Sequence, residues 1–226
     1  TIRGGQPVLE VIFQRLPNTI LLATSAMIIA ILLGVPLGFL AAYNKGTISD
    51  TFIMILAISG ISMPHFWLGL ILLFIFAVDL GWLPVSGSGL LNLVLPALTL
   101  GISNAAIFAR LTRTSMIEIL QQDFVITALA KGLPKKYVLR KHVLRAGLIP
   151  LVTMMGMQFA FMMGGAIVVE NIFSWNGVGR MAVEAIFQRD YPIIQGFILT
   201  FSVIVVFVTI SLDVIYAFID PRIRRS

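Results

Sequence analysis

The stretch from Ile126 to Leu151, ITALAKGLPKKYVLRKHVLRAGLIPL, is densely basic in a chain that is otherwise strongly apolar. Eight of the 16 Lys and Arg residues fall between positions 110 and 145. Helix-forming residues stand on both sides of a break at Gly132–Pro134, which predicts a helix-turn-helix. A connection between two membrane spans needs only a few residues, so a loop of this length is expected to bind a partner.

The composition on both sides of this loop indicates an all-α membrane protein. Apolar residues make up 58% of the chain, charged residues only 12%, and the mean hydropathy is +1.00. A soluble domain has roughly a quarter of its residues charged. Five charge-free windows are each long enough to cross about 30 Å of hydrocarbon, which takes about 20 helical residues. They predict transmembrane helices near 17–43, 51–78, 90–109, 148–169 and 193–217.

The distribution of basic residues predicts the orientation of these five spans. If the C-terminus is cytosolic, the inner segments are 44–50, the loop 110–147 and the tail 220–226, and they hold 12 of the 16 Lys and Arg residues. An interfacial segment, 1–15, and a loop, 170–192, then lie outside. This asymmetry follows the positive-inside rule, and it suits contact with the lipid bilayer. A nucleic-acid partner is not expected, because no aromatic stacking platform accompanies the basic residues.

The chain lacks the residues that would make it an ATPase. A phosphate-binding loop ends in Gly-Lys-Ser/Thr, and no Gly here is followed by Lys. Energy must therefore come from a partner or from a gradient. Gradient-driven carriers usually hold ionisable residues deep in their spans. Asp213 is the only acidic residue with span-like sequence on both sides, whereas Glu170 is expected to be hydrated at the outer boundary of its span.

No resident metal site is predicted. There is no cysteine, and the two histidines, His65 and His142, fall in different parts of the predicted topology. A run of methionines from Met154 to Met163 is interpreted as packing. Glycine and proline within the spans predict kinks or close helix contacts at three places: Gly34, Pro36 and Gly38; Gly60 and Pro64; Gly164 and Gly165. Without a partner charge they are not assigned a substrate site.

The basic loop resembles the EAA loop of bacterial ABC importer permeases. The matching residues are TALAKGL at Thr127 and HVLRAGLIP at His142. The Glu-Ala-Ala of that signature falls on Ile126–Ala128, so only Ala128 and Gly132 match it literally. The form A-x-A-K-G-L is similar to the dipeptide, oligopeptide and nickel branch of these permeases. Further similar segments are RLPNT at Arg15, SMPHFWLGLILLFIFAVDLGWLPVSG at Ser62, ENIFSWNGVGR at Glu170, RDYPIIQ at Arg189 and DPRIRR at Asp220.

The resemblance implies a type I permease subunit of six spans, of which this chain holds five and lacks an N-terminal one. It implies a bacterial inner-membrane complex with a second homologous permease as a heterodimer, two ATP-binding subunits and an extracytoplasmic substrate-binding protein. ATP and Mg are expected on the ATPase subunits, and no cofactor in this chain. The expected ATPase-coupling residues are Thr127, Ala128, Ala130, Lys131, Gly132, Leu133, Lys135 and Lys136.

The substrate and its pathway stay open at this level. The resemblance implies import of nickel, free or chelated, or of di- or oligopeptides. The segments ENIF, AIFQRDYPIIQ and DPRIRR favour the nickel subgroup. The alternative is a gradient-driven carrier or channel whose basic loop binds lipid, and co-purification with an ATPase subunit would distinguish the two classes.

Overall fold

The computed structural model describes residues 5–87, 89–138 and 143–219. Within these ranges the regular secondary structure is helical, and a π-helical segment, Phe74–Asp79, continues the third helix. The helices are α1 Val8–Tyr43, α2 Ile48–Ser62, α3 His65–Leu73, α4 Leu90–Leu120, α5 Asp123–Ala130, α6 Lys135–Val138, α7 Leu144–Ile172, α8 Val178–Gln188 and α9 Tyr191–Ile219.

The first helix is longer than the sequence predicts. A separate interfacial segment at 1–15 and a span near 17–43 are predicted, but α1 runs without interruption for 36 residues from Val8 and includes Pro17 and Pro36. Its first turns are held by the burial of Ile12 against α8, and its last turn by the burial of Ala42. Tertiary packing at both ends thus outweighs the local effect of proline. Residues 1–4 lie outside the described residues.

The most extensive helix pair is α1 with α4. Kinks or close contacts are predicted at Gly34 and Gly38, and the structure shows close contacts: each faces a backbone carbonyl of α4, that of Ala105 or Ala109, where an added Cβ has no room. Small residues let helix backbones approach closely inside a membrane. A further link joins α4 to α7, because Gln158 Nε2 donates a hydrogen bond of 2.5 Å to Asn104 Oδ1.

α4 begins at the predicted Leu90 but continues past the predicted end of its span to Leu120. Thr112, Met116 and Ile119 are buried on this extension, and their spacing of four and three residues places them on one helical face. The basic residues of this segment therefore extend from a helix rather than from a loop. The cytosolic connection predicted at 110–147 is correspondingly shorter, because α7 begins at Leu144.

The predicted second span, 51–78, is broken. The α2 segment meets the segment His65–Asp79 at 99°. Met63 has extended backbone angles, as expected for the residue before a proline, so the helix cannot pass through Pro64. The kink predicted at Gly60–Pro64 is thus confirmed as a full break. A smaller bend of 43° divides α7 between Met154–Gly164 and Ala166–Ile172, where Gly164 and Gly165 predict a kink or a close contact.

Among the residues that the structure describes, three helices are long and apolar enough to cross a membrane: Val8–Tyr43, Leu90–Leu120 and Tyr191–Ser211. If each of the two bent pairs counts as one span, the number is five. Large apolar side chains on α9 are exposed, including Val203 and Phe207, as lipid-facing residues would be. The chain is an all-α membrane protein. The tail 220–226 and the side chain of Asp213 lie outside the described residues.

Two ends of this bundle can be distinguished. The basic end comprises the turn Asn44–Thr47 with α5 and α6, and the α8 end comprises α8 with the loop 173–177. Thr19 of α1 contacts the α8 end, whereas Ala42 packs in the cluster that carries α5. At about 1.5 Å per helical residue these two positions are about 35 Å apart. The ends are therefore separated by about the thickness of a bilayer.

Candidate functional site: a helix-turn-helix docking surface

The turn between α5 and α6 has a defined hydrogen-bond pattern. Gly132 has φ +81 and its N–H donates to the Leu129 carbonyl, while Leu133 N–H donates to Ala128. These two bonds form a Schellman motif, in which a residue in the left-handed region terminates the helix, and glycine adopts that region without steric cost. Pro134 then begins α6, and its carbonyl accepts from Tyr137 and Val138. The predicted helix-turn-helix with its break at Gly132–Pro134 is confirmed.

Two buried valines hold this unit to the bundle. Val125 of α5 and Val138 of α6 are almost fully buried in one apolar cluster. The other buried members come from the membrane helices and their junctions: Ala42, Met116, Ile119, Val143 and Leu151. Movements of α5 and α6 are therefore mechanically linked to α1, α4 and α7.

The helix-turn-helix also exposes large apolar side chains around the rest of its surface. The exposed set is Phe124, Ile126, Leu129, Leu133 and Tyr137. Ile126, for example, is 55% exposed. It lies on α5, a helix of eight residues within the basic segment. A helix that is apolar around its whole circumference is usually buried on every side. We call the exposed residues of α5, the turn and α6 the docking surface, because contiguous exposed apolar residues indicate an interaction site.

The predicted coupling residues lie together in the helix-turn-helix, but some are exposed and one packs against the buried cluster. Thr127, Ala130, Lys131, Gly132 and Leu133 are exposed on the docking surface, whereas Ala128 packs against the buried cluster. Lys135 and Lys136 belong to α6, but their side chains lie outside the description. His142 also falls outside the described residues.

The apolar members of this surface are absent from the sequence-based prediction. Phe124, Leu129 and Tyr137 are not among the predicted coupling residues, and neither are the anchors Val125 and Val138. Their signal is present in the sequence as DFVITALA, a short apolar helix within a basic segment. The prediction instead includes the lysines of this segment, because it rests on basic charge. Which apolar residues are anchors and which are exposed depends on the packing against Met116 and Leu151.

An ion pair fixes the neighbouring turn at the basic end. Asp50 is 3% exposed and binds Arg113 through two bonds, 2.5 Å from Oδ1 to Nε and 2.8 Å from Oδ2 to Nη2. Gly46 N–H also donates to Asp50 Oδ2 at 3.0 Å, and Thr47 accepts from Asp50 N–H as the N-cap of α2. Bidentate Arg–carboxylate pairs are among the strongest hydrogen-bonded contacts. The turn before α2 is thereby attached to α4.

At the α8 end, buried hydrogen bonds surround Glu170, which contradicts the sequence-based prediction. Glu170 is predicted to be hydrated, but it is 0% exposed. Thr19 Oγ1 donates to its Oε1 at 2.6 Å, and the N–H of Arg180 donates to its Oε2 at 2.9 Å. Thr19 in turn accepts from Val178 N–H at 2.9 Å. Glu170 and Thr19 thus supply hydrogen-bond acceptors to the first turn of α8, whose own N-cap is Gly177.

The loop before α8 is fixed by further polar contacts. Trp175 Nε1 donates to the Asn18 carbonyl, and Asn18 Nδ2 donates to the Asn176 carbonyl. Arg180 Nη1 donates to the Ser174 carbonyl at 2.6 Å. In the part of the chain that the structure describes, no group of three or more His, Cys, Asp or Glu side chains could hold a metal ion.

Solved structures share this fold. An inward-facing crystal form of the MetNI methionine ABC transporter matches with a TM-score of 0.82 and 15% identity, over 96% of this chain and 99% of the matched chain. A second structure, a crystal structure of an amino acid ABC transporter with histidines, matches with a TM-score of 0.74 and 14% identity, over 92% and 94% of the two chains. At this level of identity the likeness defines the fold, which is that of ABC importer permeases.

Sequence relatives identify the family. The chain belongs to the family of binding-protein-dependent transport system inner membrane components, whose profile matches residues 34–225. It is 46% identical over 220 residues to the glutathione transport system permease protein GsiC of Salmonella paratyphi A, covering 97% of this chain and 72% of that protein. The Escherichia coli protein of the same name is 44% identical over the same length. The chain is a permease subunit of an ABC importer, which decides against a gradient-driven carrier.

Proposed function

We propose that the docking surface binds an ATPase subunit and that the importer carries a peptide-type solute. The observation that supports coupling is the construction of the helix-turn-helix, in which buried valines anchor it to the bundle while other large apolar residues stay exposed. A partner seated on the exposed residues can move α5 and α6, and the anchors pass this movement to the membrane helices. ATP and Mg would bind to the ATPase subunits, two of them in the complete complex.

The rest of the complex follows from the same proposal. A second homologous permease pairs with this chain as a heterodimer, and an extracytoplasmic binding protein delivers the solute at the α8 end. The relatives are named as glutathione permeases, and glutathione is a tripeptide. This supports a peptide over nickel as substrate. The basic end faces the cytosol, consistent with the distribution of Lys and Arg.

Replacement of Gly132 tests the coupling. Gly132→Val places a β-branched residue at φ +81. This backbone conformation costs an L-residue roughly 1–2 kcal/mol, which changes the equilibrium between the native turn and other conformations by a factor of about 5–30. The turn is expected to rearrange. ATP-dependent uptake by the purified complex in proteoliposomes should therefore fall about tenfold, while assembly of the complex stays normal. Gly46→Val is the matched control, because Gly46 has φ +82 and, like Gly132, open space around an added Cβ. Equal loss of uptake in both variants would contradict the coupling role.

The orientation has a separate test. The chain contains no cysteine, so single cysteines can be labelled from either side of the membrane. Lys131→Cys is expected to react only with a reagent supplied to the cytosolic side, and Asn176→Cys only from the outer side. Both positions are exposed in the structure. The reverse pattern would place the docking surface away from ATP and overturn the proposal.

The solute class is tested by uptake with the native binding protein. Glutathione, trialanine and Ni²⁺ would be offered singly to the reconstituted transporter with and without ATP. ATP-dependent uptake of at least one peptide, with no Ni²⁺ uptake, is the expected result. Uptake of Ni²⁺ alone would restore the nickel interpretation.

A further inference from the structure

The break in the second span lies near the middle of the bundle. Gly60, just before the break, faces Ala106 of α4, and Gly69, just after it, faces Thr99. These two α4 positions are well inside a helix that runs from Leu90 to Leu120. The chain therefore interrupts its backbone hydrogen bonding at a depth where the bilayer supplies no water.

The break leaves backbone acceptors unused. Pro64 has no N–H, and Met63 is extended, so the last turn of α2 cannot continue into α3. Among the described residues, no backbone N–H donates to the carbonyls of Gly60, Ile61 or Ser62. The C-terminus of a helix also carries partial negative charge from its aligned peptide dipoles.

A cleft of about 270 Å³ opens at this break. It is lined by Gly60, Ile61, Ser62, Met63, Pro64, His65, Ser103 and Ile107. The Ser62 and Ser103 hydroxyls donate to the carbonyls of Ile58 and Thr99, so the oxygens of both hydroxyls remain available as acceptors. His65 Nδ1 is buried and has no hydrogen-bond partner in the described part of the chain. The cleft thus offers hydrogen-bond acceptors and a histidine side chain but no charged side chain.

This cleft cannot be covered by lipid. An unsatisfied backbone group costs several kcal/mol in hydrocarbon, so irregular backbone at membrane depth occurs where it faces protein or a water-filled cavity. Ser62, Met63 and Pro64 are exposed on the surface of this chain. The remaining candidates are the second permease and the solute pathway. Interrupted spans that present free helix ends are a recurrent arrangement of substrate sites in transporters.

We infer that this cleft binds the ammonium group of the transported peptide, using the free carbonyls at the end of α2 together with His65. The acceptor-rich lining suits a cationic hydrogen-bond donor, and the partial negative charge of the α2 C-terminus adds to the attraction. A cleft without a carboxylate can hold such a group weakly enough to release it, which transport requires. This inference rests on the proposed peptide import and adds a substrate contact to it.

The test uses cysteine protection in the complete transporter, reconstituted in proteoliposomes with its binding protein and ATP. Ser62→Cys is the reporter, because it is nearly isosteric and exposed in the cleft; Met63→Cys is a second reporter. Ile55→Cys, also exposed on α2 but outside the cleft lining, is the control. The ligands are S-methylglutathione, which has no free thiol, and its N-acetyl derivative, which has no ammonium group.

We expect a small hydrophilic thiol reagent to label the two cleft reporters faster than Ile55→Cys. S-methylglutathione should slow this labelling by about threefold at a concentration near twice its Kd, and the N-acetyl derivative should not. Unreactive cleft cysteines, or labelling that neither ligand slows, would overturn the inference. Equal protection by both ligands would also overturn it, because the ammonium group would then play no part.

Uptake of S-methylglutathione is measured in the same vesicles. If uptake is normal and protection is absent, the cleft is excluded while the proposed function stands. If no peptide is taken up by the wild-type transporter, the proposed function fails and the inference falls with it.

Discussion

The two ends of the bundle use polar and apolar residues in opposite ways. At the α8 end the polar groups are buried and paired with one another: Glu170 and Thr19 accept from the first turn of α8, and Trp175 is held by Asn18. At the basic end large apolar side chains are exposed beside buried valine anchors. The α8 end therefore satisfies its own bonding within this chain, whereas the basic end leaves large apolar side chains uncovered, as the proposed docking to an ATPase requires. The following predictions test this difference.

The largest effect is expected at Glu170. Glu170→Ala leaves the Thr19 hydroxyl and the Arg180 N–H without their acceptor in a buried site, and each unsatisfied group costs about 1–3 kcal/mol. A total loss of about 3 kcal/mol in the free energy of unfolding is expected, visible as a lower midpoint of thermal unfolding in detergent. Glu170→Gln is the conservative control, since it keeps an acceptor for Thr19. A Glu170→Ala protein as stable as wild type would show that the α8 end does not depend on these bonds.

An intermediate effect is expected at the buried anchor, and a different effect at its exposed neighbour. Val125→Ala removes two methyl groups from the cluster of Met116 and Leu151 and should cost about 2 kcal/mol of stability. Leu129→Ala, at an exposed residue of the same helix, should change stability by less than about 0.5 kcal/mol but weaken assembly with the ATPase. Thermal unfolding and co-purification of the ATPase measure the two effects. If Leu129→Ala lowers stability but not assembly, the docking surface is part of the core.

The smallest effect is expected on the surface of the α8 end. Glu184 is 40% exposed and pairs with Arg15 at 3.4 Å and with Arg180 at 2.9 Å. Exposed ion pairs contribute about 0–1 kcal/mol and are screened by salt. Glu184→Gln should therefore lower stability by about 0.5 kcal/mol at low salt and less at high salt. A loss as large as that of Glu170→Ala would mean that charge pairing, rather than buried hydrogen bonding, holds this end together.

The sequence predicts those features that depend on near neighbours in the chain. The spans follow from runs of apolar residues, the break at Pro64 follows from the missing N–H of proline, and the turn at Gly132 follows from its ability to adopt a positive φ. Local segments such as ENIFSWNGVGR at Glu170 also indicate family membership. In each case the signal lies within a few residues or within one helix length.

Only the tertiary structure decides which side of each element is covered. Sequence predicts a hydrated boundary for Glu170, because it cannot show that Thr19, 151 positions away, and the start of α8 come together around this residue. In the same way, Val125 and Ile126 are adjacent and similar in chemistry, yet one is buried and the other exposed, because α4 and α7 pack on a single side of α5. Burial depends on contacts between residues that are distant in the chain, and hydropathy alone does not specify those contacts.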